Sequence, residues 1–140
     1  AAQALETYGV KKNGIDAVIF DVHGEASSEK MAMAHLVDGR ASVVVGTHTH
    51  IPTGDAHILA GGTAYQTDIG MCGDYDSVIG MKKQVSVERF VRKMPTARLE
   101  AADGEATLCA TFVETDDDTG LALRVAPVRL GGILSPTMPE

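Results

Sequence analysis

Two short apolar runs, each leading directly into histidine, constrain this chain more than any other feature. Ile15–Val22 (IDAVIFDV) and Ala41–Val45 (ASVVV) are rich in β-branched residues, the composition of strands buried in a sheet. Between them, Ser28–Val37 has helical spacing, with Met31, Ala34 and His35 on one face. Ser27 or Ser28 can cap this helix and Asp38-Gly39 stops it. Strand–helix–strand order predicts a parallel pair with a right-handed crossover, so that both strand ends reach the same sheet edge. Ligands of open α/β sheets sit at that edge. His23-Gly24-Glu25 follows the first run and Gly46-Thr47-His48-Thr49-His50 the second. The two histidine clusters are therefore expected to meet in space.

The flanking segments complete an α/β pattern. Ala4, Leu5, Tyr8 and Val10 suggest a short helix ended by glycine, with Gly14 just beyond. His57–Leu59, a Gly61-Gly62 turn and Thr63–Thr67 suggest a hairpin, followed by a glycine-rich loop over 70–76. A helix is expected over Val85–Lys93, with Ser86 near its start. Strands are expected over Ala97–Ala101, Glu105–Thr115 and Leu121–Leu130, the last two as an antiparallel part with alternating faces. The proline-containing tail Ser135–Glu140 is expected to be loosely held.

Composition narrows the function classes. Of the 140 residues, 44% are hydrophobic and 22% charged, which is a globular balance rather than a disordered one. The net charge of −7 argues against a general nucleic-acid or membrane-surface binder, which needs a basic face. No apolar run approaches the ~18 residues of a membrane span. Two cysteines, without zinc-type spacing, fit a reduced, cytoplasmic setting. No G-x-S-x-G, phosphate-binding loop or dinucleotide fingerprint is present, which removes support for serine-hydrolase, kinase and Rossmann readings.

The histidines carry the chemistry. Neutral imidazole is a ligand for zinc, iron or manganese. His48 and His50 share one H-x-H, and His23 joins them from the neighbouring strand end. Gly46 is expected to let the chain bend so that the two H-x-H nitrogens reach different ions. Asp21, Glu25 and Asp68 could accept the outer ring N–H of a ligating histidine, although each also suits an ordinary loop or capping role. His35 suits the edge of the core and His57 a surface or structural place. Cys72 has no base near it in sequence and does not suit a nucleophile.

The runs Phe20–Lys30 (FDVHGEASSEK), Asp38–Ser42 (DGRAS), Val45–His50 (VGTHTH) and Gly62–Met71 (GTAYQTDIGM), in this order and spacing, resemble the YmdB-type bacterial metallophosphoesterases of the calcineurin-like superfamily. The resemblance extends from about Ile15 to Leu130 and departs mildly at Cys72 and Asp74, where threonine and proline are usual. It implies the C-terminal half of a four-layer α/β/β/α sandwich, with residues 1–140 forming one segment of that domain. It also implies a 2′,3′-cyclic-nucleotide phosphodiesterase with two metal ions (iron, manganese, magnesium or zinc) and an attacking hydroxide that bridges them. His23 and His48 correspond to ligands of one ion and His50 to a ligand of the other.

The family's remaining ligands, and the histidine proposed as general acid, lie in an N-terminal half with Gly-Glu-Asn and Gly-Asn-His elements. Neither element occurs in these 140 residues, so no catalytic acid is expected here and the segment is expected to be inactive alone. The start at Ala1 fits a processed or partial polypeptide. An open sheet edge would favour homo-oligomers. The expected partner is a small phosphodiester, with no membrane. A mononuclear three-histidine metallohydrolase and a non-catalytic metal-binding module are the rival readings.

Overall fold

The computed structural model describes residues 2–94 and 97–140. Ten elements alternate in a mixed α/β order: α1 (Ala2–Tyr8), β1 (Ile19–His23), α2 (Ser27–Val37), β2 (Val43–Thr47), β3 (His57–Ile58), β4 (Ala64–Gln66), β5 (Gly73–Asp74), α3 (Lys83–Arg92), β6 (Ala106–Thr115) and β7 (Ala122–Leu130). They form a mixed sheet in the order β1-β2-β4-β3 and an antiparallel sheet in the order β5-β6-β7.

Strand β2 organises the molecule because it has a neighbour on each side. It pairs in parallel with β1 (His23 opposite Thr47) and with β4 (Val44 opposite Tyr65). The two-residue period of a strand sends alternate side chains to opposite faces. Val44 enters a cluster with Leu5, Ala34, Val37 and Tyr65, on the side of α1 and α2. Val43 and Val45 turn the other way, to Ala122, Val113 and Val125 of β6 and β7. Full burial of one such side chain is worth roughly 1.5–3 kcal/mol. Thr111 Oγ1 donates to Gln66 Oε1 at 2.6 Å and so ties β6 to the mixed sheet.

Several expectations change in detail. β1 begins at Ile19 rather than Ile15 and is not a buried strand: its outer edge is unpaired among the described residues, and Ile19 is 72% exposed. Likewise β2 starts two residues late and runs on through Gly46 and Thr47. Neither serine caps α2; its N-cap is Ala26, without a side-chain cap. The buried face of α2 is Lys30, Ala34 and Val37, while Met31 and His35 are exposed. Lys30 goes inside because an acidic partner waits there.

The hairpin is present as β3 and β4, with Gly62 at φ +98°. Helix α1 ends at Tyr8, α3 runs from Lys83, and Ser86 Oγ donates to the Lys82 carbonyl. Ala97–Ala101 forms no strand. Only an isolated bridge joins Ala101 to Met81, because residues 78–82 offer it a turn rather than an extended partner. The tail is tied down: Thr137 and Arg129 exchange backbone hydrogen bonds, and Arg124 donates to the Glu140 carbonyl.

Candidate metal centre

Parallel pairing brings the first two histidines together. With His23 opposite Thr47, the next residue, His48, reaches across to His23. The rings meet edge to face at 5.0 Å between centroids, with His48 Nδ1 3.3 Å from His23 Nε2. Behind His23 runs a short relay. Thr47 Oγ1 donates its one proton to Asp21 Oδ1 at 2.8 Å, so it accepts from His23 Nδ1 at 3.1 Å. That fixes the tautomer and leaves the Nε2 lone pair of His23 facing His48. Asp21 therefore acts on His23 through Thr47 rather than by direct contact.

The H-x-H segment is not an extended strand. His48 lies at φ +124° and His50 at φ +65°, the left-handed region that costs a non-glycine residue roughly 1–3 kcal/mol and persists only where the surroundings impose it. Four contacts impose it here. The Thr49 N–H donates to Asp68 Oδ2 at 2.9 Å. The His50 carbonyl accepts from Tyr75 Oη at 2.9 Å and from the Met71 N–H at 3.2 Å. Finally, His50 Nδ1 donates to the Ile79 carbonyl at 2.9 Å, since a carbonyl can only accept. His50 thus also presents Nε2 as its free nitrogen.

Gly46 has a different part from the one expected. It lies buried inside β2, where a Cβ would stand 1.8 Å from the Thr67 carbonyl oxygen and 2.7 Å from Lys30 Cδ. The site demands glycine for closeness; the bending occurs at His48 and His50.

Asp68 is buried, and it supports the loop rather than an imidazole. Its Oδ2 takes Lys30 Nζ at 3.0 Å, with both side chains 1% exposed, and its Oδ1 takes the Gly70 N–H at 2.9 Å. Burial pushes the Asp68 pKa up, but the bonds from Thr49, Gly70 and Lys30 outweigh it and hold the carboxyl below its ordinary value. Lys30, Tyr75 and Ile79 were invisible as site residues in the sequence; each acts on a partner 25 to 38 residues away. Glu25 is exposed in the loop after β1. His57 stands edge to face against Tyr65, a structural place, and Cys72 is exposed with its thiol directed at the Cys109 carbonyl.

The donor set fits part of a metal centre. His23 and His48 offer converging nitrogens, and His50 a third donor at Nε2. Among the described residues, no three His, Cys, Asp or Glu side chains are grouped to hold an ion, so the histidines do not form one three-ligand centre. No helix of the described residues is long and apolar enough to cross a membrane.

Comparison with known proteins identifies a family. A family model described as "YmdB-like protein" matches residues 1–128. The chain is similar to the 2′,3′-cyclic-nucleotide 2′-phosphodiesterase of Bacillus subtilis, with 45% identity over 77% of this chain and 40% of that protein. A putative phosphatase/phosphodiesterase of Mycoplasma pneumoniae is 35% identical over 86% of this chain and 43% of its own length. The chain thus spans about two-fifths of the length of these curated relatives. Among solved structures, a hypothetical protein from Thermus thermophilus superposes with a TM-score of 0.81 at 42% identity, covering 94% of this chain and 49% of that one. A structure described as a novel phosphatase from Mycoplasma pneumoniae gives a TM-score of 0.74 at 36% identity, over 79% of this chain and 40% of that one.

Proposed function

The chain belongs to the YmdB-like protein family, and on that premise we propose that it supplies part of the metal site of a phosphodiesterase acting on cyclic nucleotides. The observation that carries the reading is the convergence of His23 Nε2 and His48 at adjacent parallel strand ends, with the outer nitrogen of His23 already engaged by Thr47. His23 and His48 would hold one ion, and His50, through its free Nε2, a second. Divalent ions there supply Lewis-acid neutralisation of phosphate charge and activation of water.

This chain's own residues supply rigidity. The Asp21–Thr47 relay holds the His23 tautomer. The Lys30–Asp68 pair holds the peptide between the two H-x-H histidines, and Ile79 and Tyr75 hold His50. The reading extends to a four-layer sandwich for the whole protein, a cytoplasmic setting, and self-association at the open edge of β1.

Three imidazoles without a bridging carboxylate do not hold two ions ~3.5–4 Å apart, so the 140-residue chain alone is expected to show no turnover. The test uses the natural full-length polypeptide with Mn²⁺ and adenosine 2′,3′-cyclic monophosphate. Turnover is expected, with its loss on chelation and a fall of about 100-fold or more in kcat/KM for His23→Ala and for His48→Ala. Turnover that survives both chelation and the two substitutions overturns the reading.

A further inference from the structure

A cavity of about 410 Å³ is lined by Val78, Ile79, Met81, Ser86, Arg89, Phe90 and Leu99. Its size falls within the range of small-molecule sites, and its walls are mostly apolar. Two features separate it from an ordinary packing defect. The first is its connection to the histidines. Ile79 forms part of the wall, while its carbonyl accepts the Nδ1–H of His50 at 2.9 Å. The cavity therefore begins one residue from a candidate metal ligand. Ile79 sits at φ +49°, an uncommon conformation for a β-branched residue, and this single residue joins the two places.

The second is Phe90. The chain has three phenylalanines, three tyrosines and no tryptophan. Phe90 is nevertheless 79% exposed, and among the described residues no other large apolar side chain is more so. Arg89 stands beside it, with its Nη2 fixed on the Ala97 carbonyl at 2.7 Å and its Nε without a hydrogen-bond partner among the described residues. An aromatic face, a fixed guanidinium and a thioether from Met81 are the groups on which a flat, polarisable ring stacks.

We propose that this cavity is the nucleobase subsite of the phosphodiester substrate, with Phe90 as its stacking face. The inference rests on the phosphodiesterase reading above. A ligand that spans the two places passes Ile79, which bonds the Nδ1 edge of His50 and lines the cavity together with Phe90. The apolar walls hold a base of either size by stacking, which every base permits, so the subsite selects nucleotides over base-free diesters more than one base over another.

The test compares the full-length protein with its Phe90→Ala and Phe90→Tyr variants. Two measurements are made: KM for adenosine 2′,3′-cyclic monophosphate relative to that for ethylene phosphate, the same five-membered cyclic diester without a base, and binding of adenosine alone by saturation-transfer NMR on metal-depleted protein. Phe90→Ala is expected to raise the KM ratio about tenfold and to abolish adenosine binding, and Phe90→Tyr to restore both. Adenosine binding that depends on Phe90 in a protein that cleaves neither ester supports the subsite and defeats the phosphodiesterase reading. The proposal is overturned if the KM ratio and adenosine binding are unchanged by Phe90→Ala. It is equally overturned if adenosine does not bind the unsubstituted protein, or if Phe90→Ala instead dissociates an oligomer, in which case the cavity is covered by a second copy.

Discussion

Strands β1 and β2 look alike on paper: both have five residues, both open on a pair of apolar residues, and each carries or leads to a histidine of the site. They sit in very different surroundings. β2 is flanked by β1 and β4, packs on both faces, and includes a glycine whose Cα lies against the Thr67 carbonyl, just past β4. β1 has one neighbour among the described residues, and Ile19 at its start is largely exposed. The site is thus held from one side. The geometry of the histidines is imposed by β2, its loop and the residues beneath that loop, while β1 is aligned by its register with β2. Perturbations should therefore be severe beneath β2 and mild along β1.

The largest effect is expected at Lys30. Lys30→Met leaves the Asp68 carboxylate buried without its counter-charge, a loss that typically costs about 3–5 kcal/mol. Urea unfolding measures it, and a cost below about 1 kcal/mol would remove the pair from the account of how the loop is held. Gly46→Ala follows at about 3 kcal/mol, because the clashing partner is the backbone oxygen of Thr67 and cannot swing aside as a side chain would. The same measurement reads it, and near-neutrality would mean that β2 and β4 can separate.

Acid should weaken the β2 side next. The folded Asp68 carboxyl titrates below its ordinary value of 3.8. Its contribution is fully present above about pH 4 and is lost as pH falls through the lowered folded value. Asp55, held down in the same way despite its burial by hydrogen bonds from Thr53 and Thr67, acts in the same direction. The melting temperature is expected to fall below pH 4, and less steeply in Asp68→Asn; equal slopes would assign the acid sensitivity elsewhere.

What was legible in the sequence follows the same divide. The parallel pair, the meeting of His23 with His48, the hairpin and the β6–β7 ribbon were readable because each rests on local periodicity and turn residues. The supports of the site were not. Lys30 reads as a solvated position on a helix, and nothing local announces that its ammonium meets Asp68, 38 residues on. Helical spacing put Met31, Ala34 and His35 on one face of α2, whereas the buried face is Lys30, Ala34 and Val37. Nor does periodicity register that His50 would take its orientation from the Ile79 carbonyl, a backbone atom every residue carries. Strand burial was over-read for β1 because an apolar run reports what a strand could bury, not how many neighbours it has.

The smallest effect belongs to that exposed edge, and it tests the comparison most sharply. Ile19→Thr keeps β-branching and so preserves the strand preference, while removing apolar surface that this structure leaves mostly in solvent. A change within about 0.5 kcal/mol is expected, as for surface substitutions in general. Val44→Ala, at the centre of β2 and fully buried, should cost about 2–3 kcal/mol more, since it removes packed methyl groups and leaves a cavity. Measured side by side on the natural full-length polypeptide, equal losses at Ile19 and Val44 would show that β1 is covered by further chain or by a second molecule. The asymmetry between the two strands would then belong to residues 1–140 and not to the protein that carries them.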